Sequence, residues 1–318
     1  MRVLVTGAAG FIGSHLCEAL LSRGDSVVGL DNFNDFYDPA IKRANLHRCL
    51  ADDCFQLVQA DITDRQRIDE LFGEGQFHAV VHLAAWAGVR PSIQQPRLYQ
   101  QVNIEGTLNL LEAYRSHGNK RFVFASSSSV YGNRTQGPFR ETDSVDNPIS
   151  PYAATKKAGE LLCYTYHHLH GMDISCLRFF TVYGSRQRPE MAIHKFSRLI
   201  EEGQPVPMFG DGTSRRDYTH VDDIIQGTVA ALDRLSGYNI YNLGGSQTIA
   251  LKDLIEAIGQ ALGKEPQIDQ QPAQPGDVAV TFADISRAAK DLDYRPQFPL
   301  QEGLARFVQW FRAMRENA

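Results

Sequence analysis

The stretch Val3-Leu4-Val5-Thr6-Gly7-Ala8-Ala9-Gly10-Phe11-Ile12-Gly13-Ser14-His15-Leu16 decides the fold. A short β-forming run meets glycines at positions 7, 10 and 13, and an apolar pattern with helical spacing follows. Glycines placed this way permit a tight turn, let the backbone approach a pyrophosphate and let a helix pack closely on a strand. The N–H groups and dipole at the helix start attract the anion. After a first strand, this turn predicts a dinucleotide site that includes Gly7, Gly10, Phe11, Ile12 and Gly13. The spacing is G-x-x-G-x-x-G rather than G-x-G-x-x-G, so its position carries the weight.

Further β-rich runs follow at 26–30, 55–59, 79–83, 122–125 and 174–179, separated by helical patterns at 14–23, 65–72, 104–117 and 151–170. Strands alternating with helices imply right-handed crossovers and a parallel sheet covered on both faces. The fold class expected is α/β, a doubly wound (Rossmann) parallel sheet with a smaller α/β lobe that binds substrate. Residues 1–180 are expected to form the dinucleotide domain and 181–318 the smaller lobe, where loops become rich in Gly and Pro and helices are expected at 191–202, 251–262 and 300–315. The pattern over 221–243 reads as a helix and strand returning to the sheet.

The chain has 318 residues and is 43% hydrophobic, enough to bury a core. Its net charge is −5 with no basic block, which argues against nucleic acid as a partner. Cys17, Cys49, Cys54, Cys163 and Cys176 are odd in number and lack a C-x-x-C pair, so reduced thiols are expected and no metal site. The first residues already form a strand, and no apolar run approaches a membrane span. A cytoplasmic protein is expected.

Asp31 ends the second strand, where a carboxylate can accept hydrogen bonds from both ribose hydroxyls of NAD and would repel the 2′-phosphate of NADP. NAD is the cofactor expected. Asp61 has two readings: a contact to the adenine amino group, or a helix N-cap shared with Thr63 or Asp64. Asn32, Ile62, Leu83, Ala84 and Ala85, with Tyr152 and Lys156, complete the expected cofactor set.

Ser150 and Pro151 open a helix that carries Tyr152 and Lys156 one turn apart on the same face. A tyrosine with a pKa near 10 is a poor base at neutral pH. An ammonium about 4 Å away is worth roughly 4 kcal/mol toward the phenolate at an effective dielectric near 20. Tyr152 is therefore the expected acid–base residue and Lys156 its partner, with one serine of Ser126-Ser127-Ser128-Ser129 holding the developing oxyanion. Asp222-Asp223 could suggest a metal, but helix neighbours do not face one another, and capping explains Asp222 better.

With these motifs, and with "DNFNDFYDP", "HLAAWAGVRPS", "LRFFTVYG", "GDGTSRRDYTHVDD" and "PGDVAVTFADIS", the chain resembles the extended short-chain dehydrogenase/reductases that act on nucleotide sugars. Its pattern is most similar to the UDP-glucuronate 4-epimerases of that family. The resemblance makes Ser127 the catalytic serine. It also implies that Ser128 and Ser129 stand where sugar-nucleotide dehydratases carry Asp-Glu and decarboxylases carry a glutamate. An epimerase that oxidises and reduces C4 with NAD is implied, acting on a UDP-sugar.

By the same resemblance Arg188 holds a uronate carboxylate beside Thr181, Arg216 meets the diphosphate and Asp277 lies near the uridine ribose. Arg90 either meets substrate or pins its loop. The chain departs from the common pattern at Trp86, at Pro91, and at Ser185-Arg186-Gln187, where Pro-aromatic-Gly is more usual. The resemblance further implies a homodimer through the helices at 104–117 and 151–170, with Leu108, Leu111, Leu161, Leu162 and Leu169 as the apolar stripe. Rival readings are a UDP-glucose or other nucleotide-sugar 4-epimerase, and a non-catalytic NAD-sensing protein.

Overall fold

A computed structural model describes residues 1–272 and 278–316. Its centre is a seven-stranded, all-parallel sheet. Strands β1 (Arg2–Thr6), β2 (Ser26–Asp31), β3 (Phe55–Gln59), β4 (Ala79–His82), β5 (Arg121–Ser127) and β6 (Asp173–Phe179) are joined by a strand at Tyr238–Leu243. The spatial order is Tyr238–Leu243, β6, β5, β4, β1, β2, β3. The order reverses between β1 and β4, and a ligand crevice is expected at the carboxyl ends of strands at such a reversal.

Period-two alternation divides the core. Val3, Val5, Val27, Val81, Val123 and Leu177 pack on one face with the helices Phe11–Ser22 and Val221–Asp233. Leu4, Val28, Val80, Phe122, Phe124 and Ile174 pack on the other with Arg65–Gly75, Gly106–Ser116 and Pro151–His170. Each such fully buried side chain contributes about 1.5–3 kcal/mol.

Ser150 caps the helix Pro151–His170 by accepting from the N–H of Ala153 at 3.1 Å, with Pro151 at its first position. A further core, built on Tyr183, Phe196, Met208, Ile255, Phe307 and Phe311, lies under the helices Ala192–Glu201, Leu251–Leu262 and Leu300–Glu316.

Several elements differ from expectation. The first helix begins at Phe11, three residues earlier than its apolar pattern indicates, because the glycine turn runs straight into it. The pattern at 104–117 resolves into a π-helical turn, Gln101–Glu105, followed by an α-helix, Gly106–Ser116. Asp222 is not the cap of the helix Val221–Asp233. His220 holds that position, its Nδ1 accepting from the N–H of Asp222 at 3.3 Å. Asp223 instead accepts the N–H groups of Gln297 and Phe298 at 2.8 and 3.2 Å, fastening the C-terminal segment.

Of the apolar stripe, Leu111 is in the core and Leu162 packs partly against it, whereas Leu108, Leu161 and Leu169 are exposed. No helix among the described residues is long and apolar enough to cross a membrane.

Candidate active site

A cavity of about 340 Å³ opens at the carboxyl ends of the strands. Its floor is the glycine turn. Gly7 sits at φ 70°, and a Cβ there would lie 2.9 Å from the N of Ala84. One on Gly13 would lie 2.0 Å from the carbonyl oxygen of Gly7, so a larger residue would force helix and strand apart. The helix that starts at Phe11 has no side-chain cap at Gly10, which leaves its first N–H groups for an anion.

Around this floor the cavity gathers Gly7, Gly10, Phe11, Ile12 and Gly13, then Asp31, Asn32, Asp61, Ile62, Leu83, Ala84 and Ala85. Asp31 is buried, accepting the N–H groups of Ala9 at 3.0 Å and Phe33 at 2.9 Å. Burial raises its carboxyl pKa, while Phe33, the nearby Lys42 and Ala9 pull it back. Asp61 accepts from the N–H and hydroxyl of Thr63 and from the amide of Asn32 at 2.7 Å. Asp64 caps the helix Arg65–Gly75, which leaves Asp61 facing the cavity. The uncapped helix, the close-packed glycines and the twice-bonded Asp31 fit a dinucleotide such as NAD.

The four serines have separate tasks. The Ser126 hydroxyl donates to Oε1 of the buried Glu160 at 2.7 Å, and Glu160 receives a forked pair of bonds from Arg178 at 2.8 and 2.9 Å. Alternation along β5 turns Ser127 the other way, into the cavity, where its Oγ accepts from the N–H of Ser129 at 3.2 Å. Ser128 and Ser129 form the next turn and also line the cavity.

Tyr152 and Lys156 reach the same space from the helix Pro151–His170. Burial raises the Tyr152 pKa, and a hydrogen bond with Ser127 and the charge of Arg188 work against that rise. Burial lowers the Lys156 pKa to about 8. The Lys156 Nζ donates to the carbonyl oxygen of Ala125 at 2.7 Å and lies over the Phe124 ring.

Thr181 and Arg188 line the same cavity. The Arg188 Nε is 3.1 Å from Oε1 of Glu190, and its guanidinium lies 5.3 Å from the centre of the Phe36 ring. Arg90 and Arg216 are elsewhere, in a neighbouring cleft of about 240 Å³ that also contains Glu190, Phe209 and Tyr218. The Arg188–Glu190 contact joins the two spaces. Asp277 lies outside the described residues.

The sequence reading missed several residues. Asn34, Phe36, Tyr37 and Lys42 also line the cavity. Lys42 comes from the helix Pro39–Asn45, whose start was signalled by Asp38-Pro39. Asn103, on the π-helical turn, exchanges bonds with the backbone of Trp86 at 2.8 and 2.9 Å and donates to Thr155 of the helix Pro151–His170 at 3.0 Å. Trp86 thereby stands as a cavity wall, edge-on to Phe36 at 5.1 Å.

The family model for GDP-mannose 4,6 dehydratase matches residues 4–307. A UDP-glucuronate 4-epimerase of Thermodesulfobacterium geofontis is 48% identical over 96% of this chain and 95% of its own length. The solved UDP-glucuronic acid 4-epimerase of Bacillus cereus, in complex with UDP-glucuronic acid and NAD, superposes with a TM-score of 0.93. It is 39% identical, over 99% of this chain and all of the other. The UDP-glucose 4-epimerase of Thermotoga maritima, with UDP-glucose, has a TM-score of 0.92 at 31% identity, over 99% of each chain. The glycine turn, the Tyr152–Lys156 helix and these matches agree: the chain belongs to the extended short-chain dehydrogenase/reductase family, among its nucleotide-sugar epimerases and dehydratases.

Proposed function

We propose that the protein interconverts UDP-glucuronate and UDP-galacturonate by NAD-dependent epimerisation at C4. One observation carries this reading. Tyr152, Ser127, Lys156 and Arg188 share one cavity with the glycine turn, and its lining carboxylates among the described residues, Asp31 and Asp61, lie on the cofactor side. A dehydration needs an acid and a base beside C5 and C6. By the resemblance Ser128 and Ser129 stand in their place, so neither position diverts a 4-keto sugar from simple reduction.

NAD, when bound, supplies a reversible acceptor for the C4 hydride and is regenerated in each turnover. Gly7, Gly10 and the free N–H groups at Phe11 and Ile12 would hold its pyrophosphate, with Asp31 on a ribose. Tyr152 takes the proton of the C4 hydroxyl on oxidation and returns it on reduction. Ser127 holds the C4 oxygen and, through its bond to Tyr152, favours the phenolate.

Arg188 grips the carboxylate with its forked guanidinium while the sugar turns about its phosphate linkage. That grip matters because the intermediate is a β-keto acid. Arg216 is assigned to the diphosphate, Arg90 to the substrate or its loop, and Asp277 to the uridine ribose. The greater likeness to the UDP-glucuronate epimerases, at 48% and 39% identity against 31% for the UDP-glucose epimerase of Thermotoga maritima, supports the uronate, and Arg188 adds to it.

The exposed Leu108, Leu161 and Leu169, with the exposed Tyr164, support a homodimer through the helices Gly106–Ser116 and Pro151–His170, and a cytoplasmic location is inferred. Sedimentation tests the dimer. The deciding assay is incubation with UDP-glucuronate without added NAD. UDP-galacturonate is expected; NAD-loaded protein that leaves every UDP-sugar unchanged would overturn the reading, and turnover of UDP-glucose alone would transfer it to the neutral sugar.

A further inference from the structure

The loop that carries Arg188 holds a second arginine, Arg186, two residues earlier, and the two guanidiniums point to different places. Arg188 lines the cavity. Arg186 turns away from it, its Nη2 2.6 Å from Oε1 of Glu18 on the helix Phe11–Ser22. Both partners are largely shielded from water, at 15% and 23% side-chain exposure, so the pair is screened less than a surface one. The residues on either side add further ties.

The Nδ1 of His15 faces the carbonyl oxygen of Phe11 at 2.9 Å and must donate there. Its Nε2 then accepts from the Ser185 hydroxyl at 3.1 Å, as a neutral imidazole requires. Burial first, and then the charge of Arg186, lower the His15 pKa to about 4. Gln187 is buried, donating to the carbonyl oxygen of Val182 at 3.0 Å and accepting the N–H of His194 at 3.1 Å. Arg186 itself is held at φ 63°, a left-handed conformation that persists in a non-glycine residue only where the surroundings over-determine it.

We propose that Arg186 is a positioning residue for the reaction. Through Glu18 it fastens the Arg188 loop to the helix of the phosphate turn, and so sets the direction from which Arg188 holds the carboxylate. It is not a second carboxylate ligand, because its Nη2 is held by Glu18 and its side chain does not line the cavity. The inference rests on the uronate reading of Arg188. A loosened Arg188 lets the C5–C6 bond of the 4-keto uronate align with the ketone. That bond then breaks, CO₂ leaves, and the electron pair passes through C5 to the C4 oxygen as an enolate that takes up a proton at C5.

The test compares Arg186→Leu, Glu18→Gln, the exchanged pair Glu18→Arg with Arg186→Glu, and Arg188→Ala, with UDP-glucuronate as substrate and folding checked by circular dichroism. Each preparation is assayed for bound NAD, kcat, KM and the share of turnovers that release CO₂. Arg186→Leu and Glu18→Gln are expected to raise KM about tenfold and the CO₂ share several-fold, with the parent's NAD content, because a misdirected charge-assisted fork loses on the order of one such factor. The exchanged pair should recover most of both.

If Arg186→Leu does not fold, Glu18→Gln decides. Parent-like KM and CO₂ share in the folded single variants, beside an Arg188→Ala that alters both, overturns the positioning role and leaves the uronate reading intact. An Arg188→Ala that alters neither overturns the uronate reading, and this proposal with it.

Discussion

The ammonium of Lys156 donates to the carbonyl oxygen of Ala125 at 2.7 Å, two residues before Ser127, so the helix Pro151–His170 is fastened by a charge to the strand that carries the serine. In this position burial holds the Lys156 pKa down at about 8. The ammonium is lost as pH rises through that value, and with it the charge assistance in the bond to Ala125 that holds the helix of Tyr152 against the strand of Ser127. The profile of kcat/KM is therefore expected to fall above pH about 8, and the fall should vanish in the residual activity of Lys156→Arg, whose guanidinium stays charged. A parent profile that keeps rising through pH about 10 would contradict this.

The same group gives a stability signature of opposite sense. Between about 8 and the ordinary lysine value of 10.5, the unfolded chain binds a proton that the folded chain does not, so the cost of burying Lys156 is relieved as pH rises.

Replacing Tyr152 by phenylalanine removes the proton carrier and keeps the ring that meets Tyr99 edge-on at 6.2 Å. Turnover should fall about 10²–10⁴-fold or more, while calorimetry still finds UDP-glucuronate bound. Undiminished turnover would exclude Tyr152 as the acid–base residue.

Asp31→Ala leaves the N–H groups of Ala9 and Phe33 without their carboxylate and leaves Lys42 nearby. The ratio of NADP to NAD affinity should shift toward NADP by about tenfold or more, since a negative charge against the 2′-phosphate is gone. Equal losses for both dinucleotides would remove Asp31 from cofactor choice.

Glu160→Gln strands the buried Arg178 without its carboxylate, at a cost of about 3–5 kcal/mol in urea unfolding. The double variant Glu160→Met with Arg178→Leu should recover much of it, because two matched apolar residues leave no uncompensated charge. A single variant as stable as the parent would mean that the pair is solvated.

What could be read in the sequence was local. The glycine turn, the alternation of strand and helix, and the Ser150-Pro151 start that aims Tyr152 and Lys156 each lie within a few neighbouring residues. What escaped depends on partners far apart in the chain. Asn103 meets Trp86 and Thr155 across 17 and 52 positions, and Arg186 meets Glu18 across 168, with no periodicity to announce either. The π-helical turn beneath Asn103 is likewise invisible to a pattern of 3.6 residues. The bond of Lys156 escaped for a related reason: spacing tells which face a side chain leaves from, and does not name the carbonyl of Ala125 that receives its tip.

The strand Tyr238–Leu243 pairs with Ile174–Phe179 of β6, and it is synthesised long after it. On the ribosome, a nascent chain that has released only the first six strands exposes a bare ladder edge at β6, open to pairing with a neighbouring molecule. A protease nick or premature stop between Phe179 and Tyr238 would reproduce that hazard, so the two halves are expected to be expressible only as one continuous polypeptide.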